Sequence, residues 1–122
     1  MKVRCSRLIN PITHQPEPRS KWVSLGTVYH VLSVSMDERR TIFLRLVGDD
    51  GKTPALYDIG DFEIASPVIP PNWIVNYNKN GVFELCPASW SREGFWVRYF
   101  DGEGDARQEF EEERQRTIQS DP

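Results

Sequence analysis

Between Val28 and Val34 the side chains alternate: Val28, His30, Leu32 and Val34 face one way, and Tyr29, Val31 and Ser33 the other. Both sets are largely apolar, which predicts a strand packed on two sides, as in a small barrel. After the charged turn Met36–Arg40, a second strong strand is predicted over Thr41–Val47. Gly48-Asp49-Asp50-Gly51 supplies residues that tolerate positive φ, so a hairpin into Thr53–Tyr57 is expected. Phe62-Glu63-Ile64 reads as a short closing strand.

The flanks are more broken. Val3–Ile9 can form a first strand closed by Asn10-Pro11, and Thr13–Pro18 reads as an exposed loop, because proline lacks a backbone donor and extends its neighbours. Pro67, Pro70 and Pro71 interrupt the pattern before Asn72–Val75. Asn78–Gly81 predicts a turn into Val82–Cys86, which Pro87 ends, and Phe95–Phe100 is expected as a last, strongly aromatic strand. A helix is expected from Asp105, as its cap, through Thr117 or Ile118, with Gln108 completing a capping box. Its apolar stripe is thin (Ala106, Phe110, Ile118), and Glu111 with Arg114 and Glu112 with Arg116 offer local ion pairs.

These elements predict one mainly β domain of the α+β class. Its core, about residues 22–65, is expected as an SH3-like antiparallel barrel. An appended hairpin and a single C-terminal helix would occupy about residues 73–118, and an open antiparallel α+β sheet is the alternative. At 122 residues the chain suits one domain and can bury roughly two-thirds of its unfolded surface without a metal or disulfide staple.

Net charge is −3, but it is graded along the chain. Residues 1–40 carry seven Lys/Arg against three acids, and residues 101–122 carry eight acids against three bases. No global positive field draws the chain to nucleic acid or anionic lipid, whereas the acidic end can attract a basic partner or simply form a solvated helix face. Cys5 and Cys86 show no CxxC spacing and read as two reduced, partly buried thiols. No run is long enough to span a bilayer, and the first residues lack a signal peptide's apolar stretch, so a cytoplasmic location is expected.

Candidate chemistry is thin. His14 sits in a proline-rich loop and His30 among Val and Leu, so neither reads as a general base, and no nucleophile elbow, Walker loop or dinucleotide fingerprint occurs. Asp58, Asp61 and Glu63 are clustered acids of the kind common near strand ends. Asp101, Glu103, Asp105 and Glu112 fall at positions 1, 3, 5 and 12 of a calcium loop, but Ala106 stands where that loop needs glycine. Acids at a helix N-terminus explain them more simply. Neither a metal nor a cofactor is expected. Stacking platforms for nucleic acid are conceivable at Arg92, Trp96 and Arg98, or at Arg19, Lys21 and Trp22, against the acidic total.

The aromatic residues carry the functional expectation. Four tryptophans are more than a small core needs, and Trp73 and Trp90 follow prolines on irregular segments that would present side chains at low entropic cost. A partner-binding surface is therefore expected from Trp73, Tyr77, Trp90, Trp96 and Phe100, with Asp101, Glu103, Asp105, Glu109 and Glu112 from the acidic end. Two or three of the tryptophans could equally close the barrel.

The segments Trp22–Leu32, Phe62-Glu63-Ile64 with Ile69–Trp73, and Gly94-Phe95-Trp96 with Phe100-Asp101-Gly102 resemble small bacterial proteins. Some of these are immunity proteins of polymorphic or contact-dependent inhibition toxins. The resemblance implies a cytoplasmic protein that binds and neutralises a cognate toxin domain, and it assigns no binding residue. An RNA-associated or regulatory β-barrel adaptor is the second expectation, and monomer or homodimer is left open.

Overall fold

The computed structural model describes residues 1–10, 12–17, 20 and 22–122. Eight strands and two helices follow in order: β1 (Lys2–Cys5), β2 (Val28–His30), β3 (Ser33–Met36), β4 (Ile42–Val47), β5 (Pro54–Asp58), β6 (Phe62–Ser66), β7 (Trp73–Tyr77), β8 (Phe83–Pro87), α1 (Phe95–Phe100) and α2 (Gly104–Gln119). Short 3-10 turns precede β6 and follow β8.

The mainly β, α+β class is as expected, but the described strands form two open sheets rather than a closed barrel. A three-stranded sheet has the order β2-β1-β6, and a five-stranded sheet the order β5-β4-β3-β8-β7, with every pairing between the described strands antiparallel. The expected strand over Val28–Val34 is split. Val31 and Leu32 leave β2 and enter β3 in the other sheet, with Val31 N–H donating to Met1 O at 3.0 Å and Leu32 N–H to Arg45 O at 2.8 Å.

Leu44 and Leu46 on β4 pack with Val3, Cys5, Tyr29 and Phe62 of the three-stranded sheet and with Trp73. Val47, on the other face of β4, packs with Leu32, Trp90, Phe95, Tyr99, Ala106 and Phe110. The five-stranded sheet is thus a middle layer between a second sheet and the helices. Apolar residues on both faces of a strand show that it is covered twice; a curled sheet and a three-layer stack satisfy that equally.

The two hairpin turns form where the glycines predict. Gly51 and Gly81 adopt φ of 72° and 80°, and β4 pairs with β5 and β7 with β8. Asn78 Oδ1 secures the second turn by accepting from Asn80 and Val82 N–H at 2.9 and 3.1 Å. The hairpin β7–β8 is integral to the larger sheet, since β8 pairs with β3. Gly48 allows a close approach, because a Cβ there would lie 2.2 Å from Trp22 O.

Phe95–Phe100, expected as a strand, is the helix α1. Phe95 and Tyr99 are buried four residues apart while Val97 and Phe100 are exposed, a helical rather than an alternating burial pattern. Val3–Ile9 shortens to β1, followed by an isolated bridge between Ile9 and Pro16. The expected Asn10-Pro11 closure, the end of the Thr13–Pro18 loop and the Arg19–Lys21 platform lie partly outside the described residues.

α2 forms close to the expected span, but Glu103 stands at its N-cap and Asp105 lies in the first turn. Gln108 does not complete a capping box; its Nε2 donates to Glu112 Oε1 at 3.1 Å. Glu111 pairs with Arg114 at 3.6 Å as expected, while Arg116 pairs with Glu113 rather than Glu112. Asn72 clamps the helix, its Nδ2 donating to Glu113 Oε2 at 2.9 Å and Thr117 Oγ1 at 3.1 Å.

Candidate functional site

α1 and α2 meet in a tight elbow. Gly94, at φ 78°, starts α1 from the left-handed region, and Gly102, at φ 83°, lets the chain turn into α2. Gly102 N–H donates to Tyr99 O at 3.0 Å and Glu103 N–H to Arg98 O at 3.1 Å. From α2, Arg107 Nε donates to the same Tyr99 carbonyl at 2.9 Å, and its guanidinium lies 4.3 Å from the Tyr99 ring centre. The elbow is therefore pinned although much of its surface is wet. Val97 (66% exposed) and Phe100 (53%) project there, beside exposed Asp101, Glu103 and Asp105.

Beneath α1 runs a groove of about 500 Å³ along the edge strand β5, between Trp22 and Phe100, with Arg45 among its walls. Leu56, 49% exposed, stands opposite Arg45 in the β4–β5 register. The Arg45 guanidinium packs 3.7 Å from the centre of the Trp96 ring. Among the described residues it makes no hydrogen bond, and no carboxylate lies within 4.0 Å of it. Burial pulls its pKa down to about 10 against the opposing pull of Glu84 and Cys86, so it remains a cation at neutral pH. Glu84 is engaged elsewhere, its Oε1 accepting from Asn76 Nδ2 at 3.1 Å.

The expected partner-binding residues divide. Trp73 and Trp90 (3% exposed) are buried core rings, so the proline-flanked segments do not present them. Those prolines are themselves part of the packing, Pro70 and Pro87 being fully buried. Tyr77, 69% exposed, lies on β7, the edge of the five-stranded sheet opposite β5. Trp96 is half-buried over Arg45. Asp105, Glu109 and Glu112 line one shallow depression with Gln108, and Asp101 and Glu103 precede it in the elbow. The structure therefore brings Asp105, Glu109 and Glu112 together, keeps Asp101 and Glu103 in the elbow that carries Phe100, and leaves Tyr77 elsewhere. Glu109 is paired with Arg92 at 3.2 Å, so Arg92 of the expected Arg92–Trp96–Arg98 platform has a carboxylate neighbour.

Arg45 and Leu56 are the groove residues that sequence reasoning missed. The available signal was one arginine in the apolar run Ile42–Val47. Among the described residues, no group of three or more His, Cys, Asp or Glu is placed to hold a metal, and no helix is long and apolar enough to cross a membrane. No family model, curated protein or solved structure matches the chain.

Proposed function

We propose that the protein is a non-catalytic binding domain that docks a basic protein partner on the α1–α2 elbow, most specifically a toxin domain that it neutralises as an immunity protein would. One observation carries this reading: Val97 and Phe100 are exposed within a few residues of Asp101, Glu103 and Asp105, on a backbone pinned by Arg107 and Tyr99. An apolar anchor beside like-signed charges suits an interface in which the charges steer encounter and the buried ring holds the complex. The acidic face continues along α2 to Glu112, past Glu109, whose charge is shared with Arg92.

The test is co-expression with the product of the neighbouring gene. The pair is expected to co-purify, and the protein to restore growth against that product. The combined variant Asp101→Lys, Glu103→Lys and Asp105→Lys should slow association by about tenfold or more and reduce its salt dependence. Failure of the wild-type pair both to co-purify and to restore growth sinks the immunity reading for that pair. Undiminished neutralisation by the charge-reversed variant removes the elbow as the docking site.

A further inference from the structure

We infer that the groove along β5 is a binding site for a small monocarboxylate with an apolar body, its acid group seated on Arg45. This goes beyond the elbow surface: it concerns a different ligand class, and it needs no protein partner.

Arg45 is the first reason. A guanidinium offers five N–H donors, and one partly withdrawn from water and left without a protein acceptor is unfavourable unless something else compensates. Trp96 covers the cation at 3.7 Å but supplies no acceptor. Glu84 contributes a field without a direct contact; one of its two oxygens accepts from Asn76 and neither lies within 4.0 Å of Arg45. A carboxylate matches the planar fork of donors, because its two oxygens accept them in parallel.

The walls are the second reason. Trp22, Pro54, Ala55, Leu56, Tyr57 and Phe100 offer a largely apolar lining, and about 500 Å³ lies within the usual range for small-molecule sites. An adjoining depression shares Thr53, Pro54 and Phe100 with the groove and adds Lys52 and Arg107. Arg45 thus lies in the wall of the apolar slot, with Lys52 and Arg107 in the adjoining depression, in a chain whose net charge is negative. A compact ligand fits better than an added peptide strand, since β5 is only five residues long and starts at Pro54, which has no backbone donor.

The experiment titrates the purified full chain with 3-phenylpropanoate and, separately, with 3-phenylpropanamide, followed by proton–nitrogen NMR. The acid should bind with a dissociation constant of roughly millimolar order, as expected for a fragment of about eleven non-hydrogen atoms. It should move the Arg45 Nε–H, Trp96 Nε1–H and Leu56 amide signals, and bind about tenfold or more tighter than the amide. Arg45→Met should abolish binding. Should that variant misfold, Leu56→Glu serves instead, because residues directly opposite on paired strands hold their Cβ atoms about 5 Å apart. The introduced carboxylate can reach Arg45 and is expected to raise Tm while excluding the probe. Equal binding of acid and amide, binding of neither, or undiminished binding of the acid to Leu56→Glu would overturn the proposal. Gly-Gly-Phe with a free C-terminus is the third arm. If it binds more tightly than 3-phenylpropanoate, the ligand is a peptide end and the small-molecule assignment is wrong.

Discussion

Cys86 lies on β8, where burial and then the neighbouring Glu84 push its thiol up to about 12, with Arg45 pulling the other way. Cys5 is raised as well, chiefly by burial, and both thiols are free. Neither should react with a thiol reagent near pH 8 until the chain is denatured, when two should titrate. The Cys86 shift also has a sign for stability. The folded value exceeds the ordinary 9.0, so the contribution is complete below pH 9 and is lost as pH rises towards 12. At pH 10 the loss from this group is on the order of 1 kcal/mol. Denaturant melts of Cys86→Ala should therefore show a shallower decline between about pH 9 and pH 11 than the wild type. An identical slope would show that Cys86 does not set the alkaline limit. Tyr29 and Tyr57, both raised mainly by burial, add to the same trend in both proteins.

α2 illustrates how a helix with a thin stripe is held. Ala106, Phe110 and Thr117 are its buried residues, and Phe110 stacks on Trp90 with ring centres 5.1 Å apart. Phe110→Ala is expected to cost about 3–5 kcal/mol, read from a shift in the denaturation midpoint. Asn72→Ala should cost about 1–3 kcal/mol, because it strips the clamp from Glu113 and Thr117 without touching an apolar ring. The sequence pattern names Ala106 and Phe110 correctly and misses Thr117, a polar residue buried only because Asn72 and the Glu113 carbonyl satisfy its hydroxyl. α1 departs from the strand its residues predict for a related reason. Five of its six residues are aromatic or β-branched and carry strong strand propensity, but contacts between Trp96 and the rings of Trp90 and Phe110, at 5.6 and 5.9 Å, outweigh it.

Across the whole molecule, Asp121 ties the end of the helical layer to the three-stranded sheet. Its carboxylate accepts from Ser66 Oγ at 2.6 Å and lies 3.1 Å from the Met1 ammonium, while its carbonyl accepts from His30 Nε2 at 2.8 Å. The Ser66 hydrogen bond, with help from the Met1 ammonium and Lys2, holds the carboxyl below its ordinary 3.8. A depressed carboxyl contributes stability above its ordinary value and loses it as pH falls through the folded one. Asp121→Asn should therefore melt lower than the wild type near neutrality, and the gap should close as pH drops below about 4. A gap that stays constant into acid would show that the carboxylate charge is not what fastens the two layers.

What the sequence alone determined is local. The hairpin turns at Gly51 and Gly81, the strand over Ile42–Val47, the acidic helix and the α+β class all follow from residue type and spacing within a few positions. Tertiary structure decided which layer covers each face, that Val31 and Leu32 carry the chain from one sheet to the other, and that Trp73 and Trp90 face inward while Val97 and Phe100 face out. It also placed Arg45, an isolated charge in an apolar run, under Trp96, which is 51 positions further along the chain. Periodicity records how many faces of an element are covered, and long-range packing chooses the neighbours that cover them.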